Sequence, residues 1–324
     1  MEKFSKEIIR LNNVPKIVDN IAKKLNSDII NSLRRKGAVI GISGGIDSAV
    51  SMALAVKALG PQNVLGIMLP EKDSSPESAT LAQKLADQFG VKTLTEDITG
   101  ALEGFGCYRR RDEAVARVFP EYNPKSYKMK IGVKQSSLNQ HLPPVFFVTI
   151  VDSQGNEKTK MLPMAEYLQI VASSNFKQRS RMAMLYHHAE RLHYAVIGTP
   201  NKHEVAQGFF VKYGDSGADV MPIAHLYKTQ VYQLADQLGI PKEIIERTPT
   251  TDTYPAAQTQ EEFFYQLPFR EMDLVWYGYE NNYDAVEVSQ VLGKTKEEIE
   301  AVYNNFKRRQ KTTDYLRMSP ISDY

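Results

Sequence analysis

The fold of this chain is decided by Gly41-Ile42-Ser43-Gly44-Gly45-Ile46-Asp47-Ser48, near the start of its 324 residues. This loop follows the apolar residues 38–40 and precedes the apolar, helix-favouring residues 49–56. The pattern predicts a buried strand, a glycine turn and the start of a helix. Adjacent glycines let backbone N–H groups approach a ligand, and serine hydroxyls add donors. Because a helix N-terminus carries unpaired N–H groups and partial positive charge, we expect a phosphate to bind here.

Strand and helix patterns alternate on both sides of the loop. Apolar runs predict buried strands at 63–69, 91–94 and 194–199. Apolar stripes predict helices at 15–35, from Ser75 to Phe89, at 175–194 and at 226–238. This alternation predicts a doubly wound parallel sheet of the α/β class. Ligands of such sheets bind beyond the carboxyl ends of the strands, which is where the glycine loop falls.

Two regions interrupt the pattern, and both are predicted to belong to one domain that spans residues 1–324. Residues 104–165 are rich in proline, and the runs 145–150 and 158–162 predict a β-hairpin inside this insertion. The hairpin is interpreted either as a partner-binding surface or as an inert insertion. Arg109-Arg110-Arg111 is predicted to form a solvated face, because Asp112 and Glu113 follow. Residues 295–324 form a C-terminal helix and tail, with a capping box from Thr295 to Glu298.

Composition narrows the class of protein. Apolar residues make up 42% and charged residues 24% of the chain, which is typical of a globular protein. A net charge of +2 gives no reason to expect a nucleic-acid partner. The single cysteine, Cys107, excludes an internal disulfide and fits a reducing compartment. No signal peptide or membrane-spanning run is present, so we expect a cytoplasmic protein without a membrane partner.

The glycine loop is not a Walker A loop, because no Gly-Lys-Ser/Thr follows it. It resembles the SGGxDS loop of the N-type ATP pyrophosphatases, or PP-loop enzymes, which split ATP into AMP and pyrophosphate. The resemblance implies a Rossmann-like fold of the adenine nucleotide alpha hydrolase type. It also implies that residues 41–48 bind the pyrophosphate part of ATP and that Asp47 holds Mg²⁺.

Further segments resemble one branch of these enzymes, the ammonia-dependent NAD synthetase family. In chain order they are NFKQRSRM (175–182), GTPNKHE (198–204), GFFVKYGDSGAD (208–219), LYKTQ (226–230) and PTTD (249–252). The resemblance implies an enzyme, an ATP-dependent carbon–nitrogen ligase. Such a ligase adenylates the carboxylate of deamido-NAD, and ammonia then displaces AMP to give NAD. This chemistry needs a cation between phosphates, basic groups on the phosphates and carboxylates near the ammonium ion.

The resemblance implies a role for particular residues. ATP-binding residues are implied at Gly41, Ile42, Ser43, Gly44, Gly45, Ile46, Asp47, Ser48, Thr199, Lys228 and Thr250. Mg²⁺ ligands are implied at Asp47 and Glu204, whose oxygens suit a hard cation. Substrate-binding residues are implied at Arg179, Lys212 and Asp219, and catalytic residues at Asp47, Lys212 and Asp219. In the segment around Arg179, Arg181 is interpreted as the spare arginine.

The tail departs from the family, which ends in His-Lys-Arg-x-x-Pro. Here Thr313-Asp314-Tyr315-Leu316-Arg317-Met318-Ser319-Pro320 keeps only the arginine and the proline. With the insertion, this identifies a divergent member, and it leaves open a ligase that adenylates and amidates a different carboxylate. Thiolation of tRNA by the same ATP chemistry is disfavoured, because it relays sulfur through paired cysteines. A non-catalytic nucleotide-binding module is disfavoured by the presence of Asp47, Glu204 and Lys228.

The resemblance also bears on partners. The family forms homodimers, so a homodimer is expected. The chain offers no length for a glutaminase domain. We therefore expect ammonia to arrive free in solution or from a separate glutaminase, with deamido-NAD and ammonia as the small-molecule substrates.

Overall fold

The computed structural model describes residues 2–134, 145–249, 253–256, 258–259 and 267–322. The strands found there are β1 (Ala38–Gly41), β2 (Val64–Met68), β3 (Lys92–Thr95), β4 (Tyr127–Lys134), β5 (Val145–Asp152), β6 (Glu157–Met161) and β7 (Ala195–Ile197). The helices are α1 (Val14–Ser27), α2 (Ile46–Leu59), α3 (Pro76–Phe89), α4 (Thr99–Gly104), α5 (Cys107–Val118), α6 (Met164–Leu192), α7 (Lys202–Gln207), α8 (Lys228–Leu238), α9 (Lys242–Glu246), α10 (Phe269–Glu280), α11 (Ala285–Leu292) and α12 (Lys296–Arg317).

A parallel sheet in the order β3-β2-β1-β7 forms the centre of the fold. Ala38 of β1 is paired with Val64 of β2 on one side and with Ala195 of β7 on the other. Helices cover both faces. Helices α1, α2, α3, α8 and α9 bury one face, and α4, α5 and α6 bury the other. The predicted doubly wound α/β sheet is therefore confirmed, and β1 leads into the glycine loop at its centre.

A small antiparallel sheet in the order β4-β5-β6 lies within the 104–165 segment. The predicted hairpin is confirmed as β5 and β6, with Thr149 opposite Thr159. Strand β4 was not predicted, although Met129, Ile131 and Val133 alternate with polar residues as a half-buried strand requires. The buried face of this sheet packs with α5 and α6 around a core of its own.

Helix ends differ from the sequence prediction in two places. Helix α1 ends at Ser27, and one π-helical turn, Asp28–Ser32, follows in place of the expected continuation to residue 35. Helix α6 begins at Met164, eleven residues before the predicted start at residue 175, because Ile170 is buried against the small sheet. Helix α12 starts with the expected capping box at Thr295 and runs to Arg317, so it takes up most of the predicted helix and tail at 295–324.

The predicted solvated face at Arg109-Arg110-Arg111 is wrong at its third residue. Arg111 is buried, whereas Arg109 is exposed and pairs with Glu113 on the same helix. Helical spacing explains the difference, because residues 108, 111 and 115 share one face of α5 and that face is buried. The guanidinium of Arg111 is compensated there by Asp73, whose Oδ2 lies 2.6 Å from Nη1.

The C-terminal helices α10, α11 and α12 form a second apolar cluster around Trp276 and Phe306. This cluster also includes Phe4 near the N-terminus and Tyr227 before α8, so it joins the C-terminal region to the central fold. In the part of the chain that the structure describes, none of the helices combines the length and the apolar character that crossing a bilayer requires.

Candidate active site

The glycine loop is shaped by its own backbone. Gly44 has a φ of +72°, and a Cβ atom there would lie 2.6 Å from the carbonyl oxygen of Ser78, so only glycine fits. The Ser48 hydroxyl donates to the Gly45 carbonyl at 2.9 Å and accepts from the Ser43 N–H at 3.3 Å. None of the described side chains caps the first turn of α2. Its N–H groups are therefore available to an anion.

A cavity of about 310 Å³ opens over this loop, at the carboxyl ends of β1, β2 and β7. Loop residues 41–43 and 45–48 line it, with Pro70 and Ser74 after β2 and Gly198 and Thr199 after β7. The charged residues that line it are Asp47, Arg181, Glu204, Asp215, Lys228 and Arg247. The cavity therefore combines a phosphate-sized loop with cationic and anionic side chains.

Three of these charged side chains interact at the base of the cavity. The Lys228 ammonium donates to Oδ2 of Asp47, and the Lys228 side chain is almost fully buried. Burial alone lowers the pKa of Lys228, but the carboxylates of Asp47 and Glu204 outweigh it and raise that pKa above its ordinary value. Burial, together with the negative charge of Asp47, raises the pKa of Glu204 to about 8. One lysine thus faces two carboxylates.

The other oxygen of Asp47 is unusual. Oδ1 is buried, and the described residues supply no hydrogen-bond partner for it. Leaving a carboxylate oxygen buried and unpaired is costly, and a bound cation would satisfy it. The described residues contain no group of three or more histidine, cysteine or acidic side chains that could hold a metal ion by themselves. The donors that fit a metal here are therefore the oxygens of Asp47 and Glu204, which match the preference of Mg²⁺ for few protein carboxylates, water and phosphate.

Asp215 and Arg181 are oppositely charged residues on the cavity wall. Burial raises the pKa of Asp215 to about 6, although the Val211 N–H and the positive charge of Arg181 lower it. Its Oδ1 accepts from the Val211 N–H at 2.7 Å. Arg181 donates through Nε to the Leu69 carbonyl at 3.2 Å, which holds its guanidinium beside the cavity. A buried carboxylate of raised pKa is a common feature of functional sites.

A buried aspartate supports the helices that carry Glu204 and Lys228. Asp273 on α10 places Oδ1 at 2.5 Å from Nε2 of His203, in the first turn of α7. Its Oδ2 accepts from both the N–H and the hydroxyl of Thr229, at 2.7 and 2.6 Å, in the first turn of α8. One carboxylate therefore holds the starts of both helices. Nothing in the sequence pattern of α10 singled this residue out.

The structure brings together part of the set implied by the resemblance. Asp47, Glu204, Lys228 and Thr199 line the cavity with all loop residues except Gly44, which shapes the turn behind it. Thr250 lies outside the described residues. Arg181, interpreted from sequence as the spare arginine, lines the cavity, as do Asp215 and Arg247. The segments 175–182 and 208–219 contained the signal for Arg181 and Asp215, but the sequence did not say which side chains face inward.

Three further residues lie outside the cavity lining. Arg179 is exposed and donates to the Lys212 carbonyl at 3.2 Å. The Lys212 ammonium donates to the carbonyls of Tyr315 and Met318 in the tail, at 2.8 and 3.0 Å. Asp219 accepts from the Val196 N–H at 2.8 Å beside β7. Their implied contacts with substrate stay predictions.

Comparison with known proteins shows that the chain is similar to one family. A model of the NAD synthase family matches residues 16–140 and 147–317, which include most of the 104–165 segment. The NH3-dependent NAD(+) synthetase of Mesorhizobium japonicum is 46% identical over 304 residues, which cover 94% of this chain and 95% of that protein. The corresponding synthetase of Rhizobium meliloti is 44% identical over 317 residues, with 98% and 94% covered.

Solved structures agree on the fold. The structure of NMN synthetase from Francisella tularensis aligns with a TM-score of 0.64 at 23% identity, covering 96% of this chain and 98% of the other. The NH3-dependent NAD synthetase from Campylobacter jejuni aligns with a TM-score of 0.63 at 19% identity, covering 97% of this chain and all of the other. At these identities the likeness concerns the α/β architecture alone.

Proposed function

The chain belongs to the NAD synthase family, and from that premise we propose that it amidates deamido-NAD to NAD with ATP and ammonia. The observation that carries the proposal is the cavity in which the glycine loop, Asp47, Glu204 and Lys228 meet. Relatives named NH3-dependent NAD(+) synthetase are 46% and 44% identical over almost the whole chain. ATP is the co-substrate, and its pyrophosphate part binds at the loop and the first turn of α2.

Charge balance supports Mg²⁺ as the second cofactor. With all of its charged groups ionised, the cavity lining has three cationic side chains, Arg181, Lys228 and Arg247, against the three carboxylates of Asp47, Glu204 and Asp215. A bound triphosphate adds further negative charge, so a cation is required for balance. Asp47 and Glu204 would hold Mg²⁺, which neutralises charge on the phosphates and on the leaving pyrophosphate.

The chain's own residues supply binding and proton chemistry. Loop N–H groups and the Ser43 hydroxyl orient the phosphates, while the Ser48 hydroxyl donates to the Gly45 carbonyl and holds the loop. The Lys228 ammonium, anchored by Asp47, supplies fixed positive charge beside them. In the adenylation step the substrate carboxylate attacks the α-phosphorus, and pyrophosphate leaves. In the second step ammonia attacks the acyl carbon, and AMP leaves with the electron pair of the broken C–O bond.

Asp215 suits the ammonium side of the second step. Its carboxylate lies in the cavity wall and its pKa is raised to about 6, so it is anionic at neutral pH. An anionic carboxylate in a buried wall attracts ammonium and accepts hydrogen bonds from it. We propose that Asp215 binds ammonium and takes part in removing its proton. Arg179, Lys212 and Asp219 remain proposed contacts of the dinucleotide, as the family resemblance implies.

Two finer proposals rest on the resemblance alone: a homodimer, and ammonia that arrives free in solution or from a separate glutaminase. A cytoplasmic location is proposed from the sequence, whose single cysteine fits a reducing compartment. Lys212 already contacts the tail carbonyls at Tyr315 and Met318. A substrate that reaches Lys212 would therefore also meet the tail.

The experiment is a coupled assay of NAD and pyrophosphate formation with ATP, Mg²⁺ and ammonium chloride. Deamido-NAD is compared with deamido-NMN and with other aromatic acids at equal concentration. We expect one NAD and one pyrophosphate per turnover with deamido-NAD, and none with Asp47→Ala. Asp236→Ala, which removes an exposed carboxylate on α8, is the matched control and should retain activity. Pyrophosphate release with another acid but not with deamido-NAD would contradict the proposal.

A further inference from the structure

Four charged side chains meet beside the cavity without lining it. We call this group the ionic junction, and its members are Glu71, Asp73, Arg111 and Lys177. The side chains of Glu71, Arg111 and Lys177 are at most 2% exposed, and that of Asp73 is 10% exposed. Burying so many charges is costly, and it is tolerated only where each charge is paired. The junction is therefore a built feature of this part of the fold.

The Lys177 side chain makes three hydrogen bonds within and beyond the junction. Its ammonium donates to Oε1 of Glu71 and Oδ2 of Asp73, both at 2.9 Å, and to the carbonyl oxygen of Thr253 at 3.0 Å. An ammonium group has three N–H donors, and all three are used. These partners come from two separate segments of the chain.

The turn after β2 borders the cavity. Glu71 and Asp73 lie in this turn, whose Ser74 lines the cavity and accepts from the Glu71 N–H at 3.0 Å through its hydroxyl. Thr253 follows Pro249, a second lining residue, in the sequence. Lys177 on α6 thus joins the turn after β2 to Thr253.

Two residues that follow Thr253 in the sequence contact the small sheet. The Ala256 N–H donates to the Met129 carbonyl at 3.1 Å, and Nε2 of Gln258 donates to the Ile131 carbonyl at 3.0 Å. Both carbonyls belong to β4. Residues 104–165 therefore contribute, through β4, a strand on which Ala256 and Gln258 dock.

Arg111 provides an internal comparison for Lys177. Its Nη1 donates to the same Oδ2 of Asp73 at 2.6 Å, and its Nε donates to Asp112 at 2.9 Å. Burial raises the pKa of Asp73, but Lys177 and Arg111 outweigh it and hold that pKa below its ordinary value. Both cations therefore compensate Asp73. Of these two cations, Lys177 also donates to the carbonyl oxygen of Thr253.

We propose that Lys177 is a positioning residue for ATP, because it holds the turn after β2, which borders the cavity, in place relative to α6 and Thr253. The inference rests on the proposed function, since it takes the cavity to be the ATP site. Lys177 touches none of the reacting atoms and acts through Glu71, Asp73 and the Thr253 carbonyl. A displacement of about 1 Å in groups that position a substrate is enough to weaken catalysis by about 100-fold.

The experiment compares Lys177→Met with Arg111→Met, which removes a cation from the same Asp73 oxygen. Binding of Mg²⁺ and α,β-methylene ATP is measured by titration calorimetry at a temperature where both variants are folded. We expect Lys177→Met to weaken binding by about tenfold or more and Arg111→Met by less than about threefold. In the assay, the KM for ATP of Lys177→Met rises while kcat at saturating ATP falls less. Equal losses in both variants would overturn the proposal.

A double variant separates positioning from stability. Glu71→Gln with Lys177→Met removes one negative and one positive charge, so the unfolding temperature should recover towards that of the wild type. We expect ATP affinity to stay low, because the link to Thr253 is still missing. Recovery of affinity together with stability would show that Lys177 only stabilises the fold. If the wild-type protein itself does not bind the ATP analogue, the proposed function fails, and the inference fails with it.

Discussion

The ionic junction and the charges at the base of the cavity are two groups of buried charges near the turn after β2. They differ in whether the protein supplies a hydrogen-bond partner for every charged atom. In the ionic junction, Lys177 uses all three donors and Glu71 accepts from Tyr108 and Lys177. In the cavity, Asp47 keeps one buried oxygen without a described partner. The protein itself pairs the charges of the ionic junction, whereas it leaves this oxygen of Asp47 for the cation that we propose. Whether a buried charge has a partner within the protein therefore distinguishes structural residues from site residues better than the number of buried charges does.

The largest effect should come from a substitution among the charges at the base of the cavity. Glu204→Gln removes a proposed Mg²⁺ oxygen, so we expect kcat to fall by about 10³- to 10⁴-fold, roughly 4–5 kcal/mol in activation free energy. The free energy of unfolding should stay the same or rise, because the carboxylate beside Asp47 is gone. Steady-state kinetics and urea unfolding measure the two quantities. Glu190→Gln, at an exposed carboxylate on α6, is the control. A kcat near that of the wild type would contradict the proposed role of Glu204 as a Mg²⁺ ligand.

The paired group should show the opposite behaviour. Arg111→Met leaves Asp73 short of one buried partner, so we expect the free energy of unfolding to fall by about 3–4 kcal/mol. Arg109→Met, two residues earlier on α5, removes a surface pair with Glu113 and should change it by less than about 0.5 kcal/mol. Urea unfolding of both variants measures the difference. Equal small losses would mean that the junction is not a structural element.

The effect of Asp215 on the free energy of unfolding should depend on pH. Its pKa is raised to about 6 in the folded protein from an ordinary 3.8, so the wild type loses stability as pH rises from about 4 to 6. Asp215→Asn removes this loss. We expect the variant's advantage to grow by more than about 1 kcal/mol between pH 5 and pH 8, towards about 3 kcal/mol. Unfolding curves at both pH values test this, with Asp236→Asn as the exposed control. An advantage that is independent of pH would contradict it.

The smallest effect concerns ligand linkage. Mg²⁺ with α,β-methylene ATP at about 100 times its Kd should stabilise the wild type by about 2.7 kcal/mol. Glu204→Gln should lose most of this gain, since it removes a proposed metal ligand. Arg109→Met should keep it. Thermal unfolding with and without the ligands measures the gain. A full gain in the Glu204 variant would place the metal elsewhere.

Local patterns predicted most of the fold. The glycine loop, the alternation around it and the capping box at Thr295 depend on neighbours within a few residues, and these signals survive without tertiary information. Strand β4 shows the limit, because its alternation sits among prolines and polar residues that suggested irregular structure. The early start of α6 at Met164 depends on packing of Ile170 against that strand's sheet.

The site was predictable where a motif named the residue and not where burial decided. Asp47, Glu204 and Lys228 follow from motif segments and line one cavity. The roles of Arg181 and Arg179 depend on which face of α6 meets the sheet, which the motif does not encode. Lys177 reaches Asp73 and Glu71 across 104 and 106 residues of chain. Such long-range pairing of charges has no local signature.

Asp273 has a consequence for how the site is made. It lies 70 residues after His203 and 44 after Thr229, and it holds the first turns of the helices that carry Glu204 and Lys228. During synthesis, the residues that line the cavity leave the ribosome before the residue that fixes their helices. The nascent chain therefore cannot complete the site until α10 has emerged and docked, and contacts of this range form late in folding. If synthesis stopped before residue 273, the chain would contain the parallel sheet and the glycine loop. The helices α7 and α8, which carry Glu204 and Lys228, would lack the hydrogen bonds from Asp273.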